Sequence, residues 1–323
     1  MTGIATPDAP ETRREQHEGQ KWALSDPSSV RRLAVLRALK LGDLLLAVPA
    51  LQALRRRFAQ AEITLISLPW ASEFAARYHE YVDRFVEFAG YPGIREAENA
   101  PLDEMERFLA EQRAYEYDLV IQMHGSGHVS NLCAMAFDGR ETAGYYDEHG
   151  AGRALSPYAT PRLTYAEPYP YDEPEVMRNL GLARMLGCDN LDPTLEFPLM
   201  EADHAEAQML LGVSAADDRP MVGIHAGASI PARRWPVERF AALADHLAQE
   251  WNARIVLTGG PDEIAIAQEV ARHMETAGQT PLLVAGKTSL GGLAALLACH
   301  SSIMPSDILQ YAYSSLLALC QAH

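Results

Sequence analysis

At 323 residues with 48% hydrophobic side chains, the chain is long enough to bury a large core and to divide into two domains. Its formal charge of −16 argues against a general nucleic-acid binder, which needs a basic face. Four cysteines, Cys133, Cys188, Cys299 and Cys320, stand far apart with no C-x-x-C pair. Neither a zinc site nor a disulfide framework is expected, and the thiols read as reduced ones in a cytoplasmic protein.

The first 30 residues are mostly polar and read as a disordered tail, neither a signal peptide nor a membrane span. No apolar run reaches the roughly 18 residues that a spanning helix requires. Between Arg31 and Arg57 lie seven basic residues and one acid, Asp43. This island suits a phosphorylated substrate or an anionic membrane surface. It suits equally the solvated end of a helix at Arg55-Arg56-Arg57, favoured by the helix dipole.

The apolar run 33–36 predicts a short buried strand, and Leu44, Val48, Leu51 and Leu54 predict a helix after it. Between them Gly42 can bring the backbone close to a ligand, and Asp43 stands at the helix start. There its carboxylate can cap free N–H groups or point a charge into a cleft at the strand's carboxyl end. Strands are expected at 61–68, 82–88 and 117–122, with helices at 71–78 and 102–113 between them. Alternation of this kind, without hairpin signals, predicts a parallel sheet with right-handed crossovers.

The segment 150–198, rich in Pro and Tyr and holding one clear helix at 175–186, reads as the link between domains. A second series follows: strands at 221–225, 253–258 and 281–285, and helices at 237–251, 262–276 and 290–299. The expected domains are therefore the tail 1–30, a first lobe with linker 31–198, and a second lobe 199–323. Two doubly wound, Rossmann-like lobes with a cleft between them make that cleft the default site.

Two corners stand out. Arg37, Gly42, Asp43 and Pro49 form the first, and His225-Ala-Gly227-Ala228-Ser229 followed by Arg233-Arg234-Trp235-Pro236 forms the second. Together, from about Arg31 to about Ala298, they resemble the two signatures of the heptosyltransferase-like glycosyltransferases of family 9. The resemblance implies a GT-B-like α/β fold that binds acceptor on the first lobe and nucleotide-sugar on the second. It further implies inverting transfer, without a metal or cofactor, of a heptose from ADP-heptose to a lipopolysaccharide core or other glycolipid acceptor. The expected location is cytoplasmic, with a peripheral contact at the inner membrane. Asp43 is the candidate base, with Gly42 beside it. The strand-end loop from His225, with Gly227 and Ser229, is the candidate anion nest, and Arg233 or Arg234 the cation for the departing diphosphate. The family's basic residue two before Trp matches Arg233, where some members carry Lys. After the turn Thr258-Gly-Gly-Pro261, Glu263 is the candidate ribose contact and Asp262 the alternative. His124, next to Gly125-Ser-Gly127, can touch acceptor or simply close a loop.

The pattern departs from the family near its end. In register, the family's Asp-Thr-Gly-x-x-His falls on Asp307, but Leu309 replaces Gly and Ala312 replaces His. The family also continues beyond the position of His323, so the second lobe is expected to be incomplete. Another donor sugar within the family, or a disabled nucleotide-sugar or glycan-binding protein on the same lobes, are the rival readings. An NDP-sugar epimerase fits worse, for want of a Tyr-x-x-x-Lys pair. Gly286-Lys-Thr lacks the first glycine of a P-loop, and the Tyr pairs at 145–146 and 169–171 read as linker more readily than as a sugar platform.

Overall fold

The computed structural model describes residues 26–95, 101–148, 163–212, 219–228, 231–275, 280–298 and 302–305. Strand β1 (Arg32–Leu36) explains why its half of the chain winds on both sides of a sheet. Leu33 and Val35 enter one core, Ala34 and Leu36 the other, so the strand is an unbroken apolar run. Around it lie β2 (Glu62–Ser67), β3 (Arg84–Glu87), β4 (Leu119–Gln122), β5 (Glu141–Tyr146) and β6 (Tyr165–Pro168). All pair in parallel, in the order β3-β2-β1-β4-β5-β6. The order reverses between β1 and β4, which makes the crevice at their carboxyl ends the natural ligand site.

The second half repeats this opening. Strands β7 (Met221–His225), β8 (Arg254–Thr258), β9 (Leu282–Leu283) and β10 (Ser302–Pro305) form a parallel sheet in the order β10-β7-β8-β9. Its reversal falls between β7 and β10. Helices α8 (Val237–Glu250) and α9 (Ile264–His273) cover one face through Phe240, Ala244, Ala267 and Val270. The other face takes α7 (Glu201–Leu211) and α10 (Leu290–Ala298) through Ala207, Leu211, Ala295 and Leu296.

Several expectations need correction. Part of the segment expected to carry the link between domains forms β6, a strand that was not expected, which pairs with β5 and completes the first sheet. Tyr145 is no platform either: it is 3% exposed in β5, and its hydroxyl donates to the Arg178 carbonyl at 2.8 Å. Helix α7 was not foreseen. The first helix is split into α1 (Leu41–Leu45) and α2 (Val48–Arg57). Pro49 lacks an N–H for the Leu45 carbonyl four residues back, and its ring crowds that carbonyl, which breaks the helix at Leu46-Ala47. Gly42 lies inside α1 and uses no left-handed backbone.

The basic island is engaged by the protein itself. Arg31 donates to Gln60 at 2.8 Å, Arg32 to the Tyr115 carbonyl, and Arg56 to the Asn190 carbonyl at 2.9 Å. Arg55 pairs with Asp83, and Arg37 is buried. Intramolecular anchoring thus uses most of the charge that suggested a membrane or phosphate surface. Among the described residues no helix is long and apolar enough to cross a membrane.

The halves meet where α3 (Ala71–Arg77) faces the start of α7 and α10. Arg77 grips the Asp203 carboxylate with two bonds, at 2.6 and 3.0 Å, and donates to the Pro198 carbonyl at 2.7 Å. Burial would raise the Asp203 carboxyl, but Arg77 and the Met200 N–H outweigh it and hold it below its ordinary value. Glu73 accepts from the Leu290 N–H at 3.0 Å. A Cβ on Gly291 would lie 1.9 Å from Asp203 Oδ1, so a glycine is required for α10 to approach this pair.

Candidate active site

The first corner begins where β1 ends. Asp43 is half-buried at the third position of α1, and its Oδ2 accepts from the Lys40 N–H at 3.3 Å, a capping contact across the helix start. Beneath it Arg37, 1% exposed, donates to the Asp43 carbonyl at 2.9 Å, to the Met123 carbonyl, and to Glu175 Oε1 at 3.0 Å. Arg37 therefore ties the loop after β1 to the loop after β4 across the switch point.

The loop after β4 is latched from within. Ser130 Oγ donates to the His124 carbonyl at 2.7 Å, Gln122 Nε2 to Asn131 Oδ1 at 2.9 Å, and Asn131 Nδ2 to the Tyr145 carbonyl at 2.9 Å. Gly127 has φ +88°, and a Cβ there would lie 2.0 Å from the Tyr145 carbonyl oxygen, so the loop packs against β5 only with glycine. His124, Ser126, His128 and Ser130, with Ile94 and Arg95 opposite, line a polar cavity of about 450 Å³. His124 thus belongs to a cavity at the carboxyl end of the first sheet.

The second corner is built around Glu263. Its Oε2 accepts from the Gly260 N–H at 2.8 Å and lies 3.4 Å from His225 Nε2, at the end of β7. Thr258 Oγ1 holds the other ring nitrogen of His225 at 3.4 Å. The bond from His225 brings the Glu263 carboxyl down to about 2; burial opposes this, and the Gly260 N–H and the Arg234 charge add to it. A Cβ on Gly227 would lie 1.9 Å from Glu263 Oε1, so glycine at that position lets the carboxylate lie against the loop after β7. Arg234 Nε donates to the Ala228 carbonyl at 2.9 Å, which fixes the guanidinium beside this corner. Arg233 is exposed in the turn Pro231–Arg233, and Asp262 is exposed in the turn Pro261–Glu263.

The structure therefore brings His225, Gly227, Arg234 and Glu263 together, and leaves Asp262 outside that cluster. Ser229 and Asp307, with Leu309 and Ala312, lie outside the described residues. Among the described residues no three of His, Cys, Asp and Glu gather closely enough to hold a metal ion. The buried Arg37 with its partners Glu175 and Asn179 is a feature that reasoning from residue spacing missed. The signal was a charged residue directly after an apolar strand, but its partners are 138 and 142 residues away.

Two parallel sheets, each with its fourth strand returned beside its first, form the GT-B-like fold of nucleotide-sugar glycosyltransferases. A family 9 glycosyl transferase from Veillonella parvula DSM 2008 superposes with a TM-score of 0.68 at 21% identity, over 90% of this chain and 78% of that one. E. coli heptosyltransferase WaaC with ADP gives 0.59 at 20% identity, over 90% and 84% of the two chains. Residues 105–307 match the model of glycosyltransferase family 9 (heptosyltransferase), and the chain belongs to that family. Lipopolysaccharide heptosyltransferase 2 of Escherichia coli (strain K12) is 24% identical over 284 residues, which is 82% of this chain and 74% of that protein.

Proposed function

We propose that this family 9 glycosyltransferase moves a heptose from ADP-heptose to a lipopolysaccharide-core acceptor by a single inverting displacement. The observation that carries the reading is the pair of carboxylate-bearing corners, Asp43 after β1 and Glu263 against the end of β7, each at the carboxyl end of its sheet. The E. coli relatives named above support heptose, ADP and lipopolysaccharide as the substrates.

Asp43 takes the proton of the acceptor hydroxyl as its oxygen attacks the anomeric carbon. The bond from that carbon to the diphosphate oxygen breaks on the opposite face, and ADP leaves with the electron pair. Charge then grows on the diphosphate, and donors that strengthen with it lower the barrier. Arg234, braced on the Ala228 carbonyl, and the exposed Arg233 supply that charge together with the loop N–H groups, and Ser229 is assigned as a further hydroxyl donor. Glu263 serves the ribose. Its negative charge lies against Gly227, where hydroxyl donors are welcome and phosphate is not. The diphosphate is accordingly assigned to the arginine end of the same loop. The polar cavity with His124 and Arg95 is the acceptor's side.

Calorimetric titration with ADP, GDP and UDP tests the donor. Selective binding of ADP is expected. Binding of only GDP or UDP overturns the adenine donor, and a folded sample that binds none of the three overturns the transferase reading in favour of a disabled relative. Because arginines carry the diphosphate charge in this reading, excess EDTA should leave the transfer rate unchanged; a rate abolished by EDTA and restored by Mg²⁺ would assign that charge to a metal.

A further inference from the structure

We propose that Arg37, Asn179 and Glu175 form a positioning clamp that fixes α1 and so aims Asp43. The proposal rests on the reading of Asp43 as the base. Helix α1 is five residues long, far too short to hold its own shape. The break caused by Pro49 also changes its bonding. The Leu46 N–H bonds the Gly42 carbonyl at 3.1 Å, and the Ala47 N–H bonds the Leu44 carbonyl at 3.0 Å in place of that of Asp43. The Asp43 and Leu46 carbonyls instead accept from side chains.

Arg37 Nε donates to the Asp43 carbonyl at 2.9 Å, and Asn179 Nδ2 donates to the Leu46 carbonyl at 2.9 Å. Arg37 and Asn179 are joined to each other by a 3.2 Å bond from the guanidinium to Asn179 Oδ1. The two ends of α1 thus hang on one connected pair of side chains. Asn179 and Glu175 both belong to α6 (Glu175–Met185), which follows the last strand of the first sheet. Glu175 neutralises the buried cation at 3.0 Å and is itself held by Arg178 at 2.7 Å. Burial alone would raise the Glu175 carboxyl, but Arg37 and Arg178 outweigh it and keep it below its ordinary value. A buried guanidinium with an ionised partner keeps all its donors in fixed directions, which a lone buried cation would not. None of these side chains need touch substrate; their effect passes through the backbone that carries Asp43.

Asn179→Ala is the mild variant, because it removes the Leu46 bond and leaves the Arg37–Glu175 pair. Arg37→Lys is the severe one, since an ammonium cannot replace the guanidinium fork. Both are compared with Asp43→Ala in transfer kinetics, in calorimetric ADP binding and in amide hydrogen exchange. For Asn179→Ala the expected result is a kcat about tenfold to a hundredfold lower, the cost of a displaced catalytic group. Donor KM and ADP affinity should stay within about twofold, with faster exchange confined to the amides of 44–47. Arg37→Lys should show the same pattern, enlarged. Unchanged kcat and exchange in Asn179→Ala overturns the clamp, even if Arg37→Lys fails to fold. Equal losses in kcat and ADP affinity also overturn it, because they mark general disruption. Full turnover by Asp43→Ala would remove the base on its own. The exchange result would still report whether Asn179 holds α1.

Discussion

The two switch-point corners have the same topology and opposite construction. In the first, the group assigned to chemistry and the groups that hold it are different residues. Asp43 lies half-exposed on a short helix, while Arg37, buried beneath it, reaches 138 residues along the chain for its counter-charge. In the second, Glu263 is both the assigned ligand contact and the keystone. Its carboxylate takes the Gly260 N–H and the His225 ring and fills the space that Gly227 leaves open. A base must meet an acceptor hydroxyl at one distance, so its helix is braced from behind and the carboxylate stays half-exposed. A ribose contact has only to offer a fixed acceptor, so structure and recognition can share one carboxylate.

The largest effect should separate the corners most clearly. Asp43→Ala is expected to lower kcat by about 10²–10⁴, the usual worth of a general base, with ADP affinity unchanged. Rate measurement and calorimetry on one preparation check both halves, and loss of ADP binding would make Asp43 structural. Glu263→Gln should act on the other quantity. One amide oxygen cannot serve both the Gly260 N–H and His225 as the carboxylate does, and the charge is lost. ADP should bind roughly 10- to 100-fold more weakly, about the worth of a hydrogen bond to a charged group, while kcat at saturating donor changes little. Gly227→Ala should give a smaller form of the same effect. The added methyl displaces the Glu263 carboxylate at a cost of about 1–3 kcal/mol, seen as weaker ADP binding and a lower melting temperature. A fall in kcat alone would show that the corners are not divided in this way.

The contrast also explains what could be read from the chain. Strands β1, β2, β7 and β8 are apolar runs buried on both faces, so their composition marks them. The segment Glu141–Tyr146 carries Thr142 and Gly144 and is buried because β4 and β6 flank it; β6 is four residues ending in Pro168. Pairing partners distant in sequence decide both strands. In α7 only Asp203, Ala207 and Leu211 are buried, which leaves a thin apolar stripe. The second corner was legible because Gly227, Gly260 and Glu263 each stand next to a strand end. In the first corner, Asp43 was visible for the same reason. The role of Arg37 was hidden, because a cation at a strand end reads as substrate-facing until its partners on α6 are known.

The smallest effect is a dependence on pH that should be absent where enzymes are normally assayed. Glu263 has its folded pKa lowered to about 2 from an ordinary value of 4.5, first by the bond from His225. A group lowered on folding stabilises the fold fully above its unfolded pKa, and loses that contribution as pH falls towards its folded one. Titration of Glu263 should therefore weaken the second corner only between about pH 4.5 and 2 and leave it unchanged between pH 5 and 8. Melting curves of the wild type and Glu263→Gln should converge in acid, between about pH 4.5 and 2, where the wild type loses the contribution that the amide never had. ADP affinity should show no acid limb from this carboxylate above pH 5. Convergence of the two curves that is already complete above pH 5 would mean that the bond from His225 does not hold the carboxylate ionised. The second corner would then resemble the first, with its ligand contact and its support again in different residues.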